Sequence, residues 1–254
     1  MEAENFSLGD YCKRVGFASE PRADLSTLQQ LMRAQLFSVA FENLDVQAGK
    51  IVSLIPEDIV NKIVNHNRGG YCYEVNGLFS MALTELGIDH YFVGARPMFY
   101  PVRRPKTHMG IIAKIEGEDY LCDLGFGSFG IRAPLALSKL NQPIQQDDDV
   151  FRLACEDGKN YIMQAYVDGD WVNQYGFDLH PQEWIDFMPA NYLNSTHPDT
   201  IFVQKLLVVK HNPQGRKILV DTQLKTVEKG ITSIREVARE DINAVLAAEF
   251  GLSR

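Results

Sequence analysis

Apolar residues recur at helical spacing as far as Gly87 and at strand spacing beyond it. Leu8 to Val15 reads as a short amphipathic helix. Asp24 is a suitable N-cap for a second helix from Leu25, whose Leu28, Leu31, Met32 and Leu36 share a face. Pro56 opens a third, with Ile59, Val60, Ile63 and Val64 inward. The fourth starts at Cys72. Its Val75, Leu78, Phe79, Ala82, Leu83 and Leu86 keep the spacing, and Gly87 supplies the stop.

The next stretches alternate. Tyr91 to Ala95, Met109 to Ile115 and Tyr120 to Asp123 read as strands, the last two joined by the tight turn Glu116-Gly117-Glu118-Asp119. Phe151 to Cys155, Tyr161 to Val167 and Trp171 to Phe177 continue the series. Asn141 to Asp149 is polar and acidic and reads as a surface loop. Pro181 to Ile185 suggests a short helix. The turn formers of Asn191 to Thr200 predict a boundary. Beyond it, Phe202 to Val209 and Lys217 to Val220 predict a hairpin about Asn212-Pro213-Gln214-Gly215. A strand over Gly230 to Arg235 and a helix over Asp241 to Phe250 complete the chain. The expectation is an α+β chain in three sections, 1–87, 88–190 and 191–254.

Composition narrows the class. At 254 residues with 45% hydrophobic and 23% charged content, the chain can bury a substantial core. No apolar run approaches a membrane span, and the acidic start lacks the parts of a signal peptide, so a cytoplasmic location is expected. The net charge of −8 argues against general nucleic-acid binding. Four scattered cysteines, Cys12, Cys72, Cys122 and Cys155, argue against a disulfide framework or a zinc site, and no metal is expected.

The chemistry concentrates at Arg68-Gly69-Gly70-Tyr71-Cys72. Gly69 and Gly70 are expected to supply backbone angles that other residues avoid. A thiol in the first turn of a helix meets free N–H groups and the positive end of the helix dipole, which favour a thiolate. The hairpin puts His108 at the start of one strand and Asp123 at the end of the next, so antiparallel pairing makes them neighbours. Cysteine, histidine and aspartate together form a nucleophilic triad: Cys72 attacks an acyl carbon, His108 moves the proton, and Asp123 orients the imidazole. Arg68 and Glu42 read as a structural ion pair. Arg96, Arg103, Arg104 and Lys106 form a basic run that would attract phosphates.

These segments resemble the arylamine N-acetyltransferase family. The matches are Phe41-Glu42-Asn43-Leu44-Asp45, the segment Arg68 to Asn76, Thr107-His108, Asp123-x-Gly125-Phe126-Gly127, and the ending Leu246 to Gly251. Gln35 and Ala40 depart from the family pattern, at positions that bear on substrate preference. The resemblance implies a helical bundle carrying Cys72, an antiparallel β-barrel carrying His108 and Asp123, a C-terminal α/β lid, and a cysteine-protease-like catalytic core. It implies acetyl transfer from acetyl-CoA through an acetyl-Cys72 thioester to an arylamine, arylhydrazine or N-hydroxyarylamine. Phe41, Val93 and Phe126 would line the acceptor pocket, and Arg104, Lys106, Thr107, Gly127 and Ser128 would meet coenzyme A. Other Cys–His–Asp enzymes, among them transglutaminases, papain-like proteases and macrocyclic amide synthases, remain alternatives, as does a binding protein for CoA or aromatic ligands on the same scaffold.

Overall fold

The computed structural model describes residues 1–127 and 129–252. Helices α1 (Leu8–Val15) and α2 (Leu25–Ser38) form as the spacing predicts, α2 capped by the Asp24 carboxylate on the Thr27 N–H at 2.7 Å. A two-residue strand β1 (Phe41–Glu42) and a single turn α3 (Leu44–Gln47) follow. Helix α4 (Pro56–Val60) widens into a π turn over Asn61–Asn65. Helix α5 (Cys72–Glu85) is buried on nearly every side and ends before Gly87, which is left-handed at φ 70°.

The middle strands are β2 (Asp89–Pro97), β3 (His108–Ile115), β4 (Glu118–Cys122), β5 (Leu135–Ala136), β6 (Ile144–Gln146), β7 (Asp149–Cys155), β8 (Tyr161–Val167) and β9 (Asp170–Phe177). They form one antiparallel sheet in the order β5-β4-β3-β2-β9-β8-β7-β6, the half-barrel layer of the α+β fold. Helix α5 packs on β3 and β2, and the main core lies between them.

The last part differs from the sequence reading in three places. The segment read as a boundary is helix α6 (Met188–Thr196), entered through a 3-10 turn at Trp184–Phe187. Its inner face carries Asn191, Asn194 and Ser195, polar groups satisfied within the protein, so turn-forming residues here serve a helix. Phe202 belongs to a helical turn α7 (Ile201–Gln204), and the strand begins later, as β10 (Leu207–Asn212). β11 (Gly215–Val220) pairs with an unforeseen strand β12 (Gln223–Glu228), and β13 (Ile231–Glu236) forms the edge. The loop read over Asn141 to Asp149 likewise contains β6.

The order of this second sheet is β1-β10-β11-β12-β13. One end strand of this sheet thus comes from the first section of the chain, with Phe41 opposite Val209. A final helix, α8 (Ile242–Val245) continued by a π turn to Phe250, covers it with Leu246 and Phe250 buried. No helix is long and apolar enough to cross a membrane among the described residues.

Candidate active site

Cys72 is the first residue of α5, and the turn before it is held from three directions. Gly70 donates to the Ala40 carbonyl at 3.2 Å and accepts from Glu42 N–H at 3.1 Å, so β1 runs alongside the turn. Glu74 caps the helix by accepting the Tyr71 N–H at 3.0 Å. Gly69 and Gly70 do not have the positive φ that was expected of them. Their role is close approach: a Cβ on Gly69 would lie 2.0 Å from the Ala40 oxygen, and one on Gly70 would lie 2.6 Å from the Glu74 Cβ.

The expected Arg68–Glu42 ion pair forms at 2.8 Å and is half of a larger buried cluster. Lys62 reaches Asp45 and Glu74 at 2.6 Å each, and Glu42 at 3.8 Å. Burial opposes the Lys62 charge, but Glu74, Glu42 and Asp45 outweigh it and push its pKa up. Glu74 is pushed up as well, to about 7. Burial is the main cause; Lys62 opposes it, while the charge of Glu42 adds to it. One ammonium shared among three carboxylates cannot hold each of them low.

The hairpin does what its register requires. Ile111 faces Cys122, so the same register carried one residue further sets Asp123 across from Gly110, two residues from His108 and on the same face. His108 Nε2 lies 2.7 Å from Asp123 Oδ2, with both side chains buried. The other carboxylate oxygen accepts from Gly125 N–H at 2.9 Å and from Asn76 Nδ2 at 3.2 Å.

Asn76 stands one helical turn after Cys72. It also donates to the Met109 carbonyl at 2.8 Å and accepts from Leu124 N–H at 2.9 Å. A single side chain therefore ties the cysteine helix to the strand ends that carry His108 and Asp123. Its i+4 spacing from Cys72 was the available signal. Phe126 and Tyr175 pack on the His108 ring, with centroids at 5.1 and 5.0 Å. Gly125 presses on the Cys72 backbone, where a Cβ would fall 2.5 Å from Cys72 Cα.

The expected lowering of the Cys72 pKa is not what this environment produces. Burial, followed by the negative charge of Asp123, pushes the thiol up, and the backbone N–H groups of Tyr73 and Met109 only partly offset them. A lone thiolate here would add a second negative charge to a dry site. A proton moved from Cys72 to His108 leaves the total charge of the three residues unchanged, and that exchange escapes the penalty.

Cys72 and His108 open onto one cavity of about 300 Å³, at whose wall Phe41, Phe126, Arg104 and Thr107 also stand. Val93 does not reach it: it is fully buried opposite Gly110, and Pro97 holds the wall at that strand. Lys106 lies outside it as well, paired with Asp178 at 2.6 Å. Gly127 is left-handed at φ 91°, and its carbonyl accepts from His211 Nε2 at 3.1 Å rather than facing this cavity. Ser128 lies outside the described residues. Sequence reasoning missed the opposite wall, Asn194, His197, Thr200 and Phe202, because α6 and α7 had been read as turn and strand. It also missed Phe99, half exposed at the mouth, whose ring centroid is 5.8 Å from that of Phe126.

A buried cysteine at a helix start, sharing a cavity with an aspartate-bound histidine, defines a cysteine acyl-transfer site. The N-acetyltransferase family model matches residues 24–253. The arylamine N-acetyltransferase of Mycolicibacterium smegmatis is 34% identical over 227 residues, covering 84% of this chain and 82% of that one. The structure of the Salmonella typhimurium arylamine N-acetyltransferase superposes with a TM-score of 0.92 at 28% identity, covering 96% and 90% of the two chains. That of the Mycobacterium marinum arylamine N-acetyltransferase in complex with CoA gives 0.90 at 30% identity, covering 96% and 92%. The chain belongs to the arylamine N-acetyltransferase family.

Proposed function

We propose that the chain transfers an acetyl group from acetyl-CoA to arylamines and arylhydrazines through a thioester on Cys72. One observation carries the assignment of residues: the buried 2.7 Å His108–Asp123 bond opens, with Cys72, onto a single apolar cavity. Asp123 holds Nε2 of the imidazole, so Nδ1 is the nitrogen that takes the thiol proton. The Cys72 sulfur attacks the acetyl carbonyl carbon. His108 then gives that proton to the departing CoA sulfur, leaving acetyl-Cys72.

In the second half-reaction the amine nitrogen attacks the same carbon and loses a proton to His108. The Cys72 sulfur departs and recovers that proton. One histidine serves both halves because each begins and ends with the same proton inventory. An N-hydroxyarylamine oxygen would accept the acetyl group by the same steps. Phe41 and Phe126 supply the apolar surface for the ring, with Phe99 and Phe202 beside them. Arg104 and Thr107 stand where the arm of coenzyme A would pass. Sections 1–87, 88–190 and 191–254 supply nucleophile, histidine–aspartate pair and lid in a cytoplasmic enzyme, with α6 crossing the second boundary and β1 of the first section joined to the lid sheet.

The test is intact-protein mass spectrometry after mixing with acetyl-CoA alone, then with 4-aminobenzoate or a hydrazine. The expected result is one acetyl mass on the Cys72 peptide, cleared by the amine, and no amine acetylation by Cys72→Ser. No adduct while Cys72 remains alkylatable points to another acyl donor, as in a macrocyclic amide synthase. No adduct with an inert Cys72 favours a binding protein.

A further inference from the structure

The proposed chemistry uses one buried histidine, and the described residues bury a second. His211 stands near the end of β10 and does not reach the cavity. Leu207, Val209 and His211 share one face of that strand. Leu207 meets the cavity and Val209 joins the main core, so this apolar row ends in an imidazole.

The imidazole faces a backbone acceptor, with Nε2 lying 3.1 Å from the Gly127 carbonyl oxygen. A carbonyl can only accept, so Nε2 carries the proton. Burial, followed by the charge of Arg132, pushes the His211 pKa down to about 3, which makes the ring a neutral, fixed donor and not a base. Arg216, opposite His211 in the β10–β11 register, lies 4.8 Å from the Phe129 centroid. The second sheet thus grips the loop leaving β4 at two points. Phe126 stands just before the first of them. Its backbone is tied on one side by the Gly125 N–H on Asp123 and on the other by the Gly127 carbonyl on His211. Its ring lies against His108 and Tyr175 at the cavity wall.

Resting on the acetyl-transfer reading above, we propose that His211 is a positioning residue for the acceptor: through the Gly127 carbonyl it sets where the Phe126 ring stands, and so how an aromatic ring is held against acetyl-Cys72. Gly127 has φ 91°, a conformation that glycine alone takes readily and leaves readily, so the bond fixes a joint that would otherwise turn. Both walls of the cavity then depend on the last section of chain, Phe202 directly and Phe126 through His211.

The measurement is the second-order rate constant for clearing acetyl-Cys72, read by intact mass, with phenylhydrazine and with methylhydrazine. Both bring a hydrazine nitrogen and only one brings a ring, so a change at His108 or at the thioester cancels when their ratio is compared between variants. His211→Leu removes the donor and should lower the phenylhydrazine-to-methylhydrazine ratio roughly tenfold. His211→Gln can still donate and should stay within about twofold of the unmodified protein. Should His211→Leu not fold, Gly127→Ala disturbs the same joint, since a Cβ is disfavoured at φ 91°, and should lower the ratio as well. A ratio that does not move in the folded variant overturns the inference. So does an equal fall with both hydrazines, or a fall that His211→Gln shares in full, since the ring would then serve packing alone. Failure of the unmodified protein to form acetyl-Cys72 would sink the acetyl-transfer reading, and this inference with it.

Discussion

Apart from the His108–Asp123 pair, the described residues gather charge away from solvent in two clusters, and the two are built with opposite balance. Under the cysteine turn, Lys62 and Arg68 face Glu42, Asp45 and Glu74, two cations against three carboxylates. At the far end of the half-barrel, Arg33, Arg132 and Arg216 face Asp147 and Asp149, three against two. The first cluster is local, drawn from the segments that shape the Cys72 turn, and leaves no buried side-chain polar atom unpartnered. The second joins α2, the chain before β5, the start of β7 and β11. It leaves the Nε atoms of Arg132 and Arg216 without hydrogen-bond partners, the nearest carboxylate oxygen to Arg132 Nε being that of Asp147 at 3.7 Å. There, aromatic faces take up part of the charge: Arg216 lies 4.8 Å from the Phe129 centroid and Arg132 lies 5.5 Å from that of Phe151. Where a turn must be held to fractions of an ångström, every donor is matched. Where distant segments need only be held together, mismatch is tolerated.

The largest break should come from Lys62→Met. It leaves the buried Glu42 and Glu74 and the half-buried Asp45 with one arginine, a loss of about 3–5 kcal/mol. A thermal melt should show a fall of roughly 10 °C, with acetylation of Cys72 impaired even at low temperature. Unchanged melting would show that Arg68 alone satisfies the cluster.

Asp149→Asn should cost less, about 2–3 kcal/mol, because each guanidinium keeps an aromatic face. Cys72 acetylation well below the melting temperature should persist. Loss of that acetylation in a folded Asp149→Asn protein would erase the contrast between the clusters.

The smallest effect is in pH. The Glu74 pKa in the folded protein, about 7, lies above its ordinary 4.5, so the folded state holds an extra proton between those values. Its contribution to stability is therefore fullest below pH 4.5 and is lost as pH rises to 7. Glu74→Gln should gain about 1–2 kcal/mol on the unmodified protein between pH 5 and 7, read as the difference between two denaturant titrations. A difference that stays flat across that range would mean Glu74 is ionised throughout.

The triad was legible because its signals are local. A helix start fixes Cys72, and a hairpin with a short turn fixes the register of His108 against Asp123. The far wall of the cavity was not legible, because α6 buries asparagines instead of leucines. Asn191 and Asn194 are inward because the carbonyls of Val52 and Thr107 await them, and those carbonyls are distant in sequence. The strand β12 was missed for a related reason. Leu224 is its one fully buried residue, the other five being half-covered or exposed, and alternation over so few positions leaves little pattern. Val93 was misplaced by two repeats of the pleat: the strand carries on to Pro97 before it meets the cavity.

The two-residue strand β1 also sets a timetable. As a polypeptide emerges from the ribosome, Phe41 and Glu42 are made early and can pair at once with Gly70 on one side. Their other edge has no counterpart until Leu207–Asn212 has been synthesised. Once Asp123 has been made, the thiol has its histidine and aspartate within the chain, yet the wall supplied by Phe202 and Leu207 is still to come. The nascent chain therefore carries the Cys72 thiol without its far wall until α7 and β10 have been made.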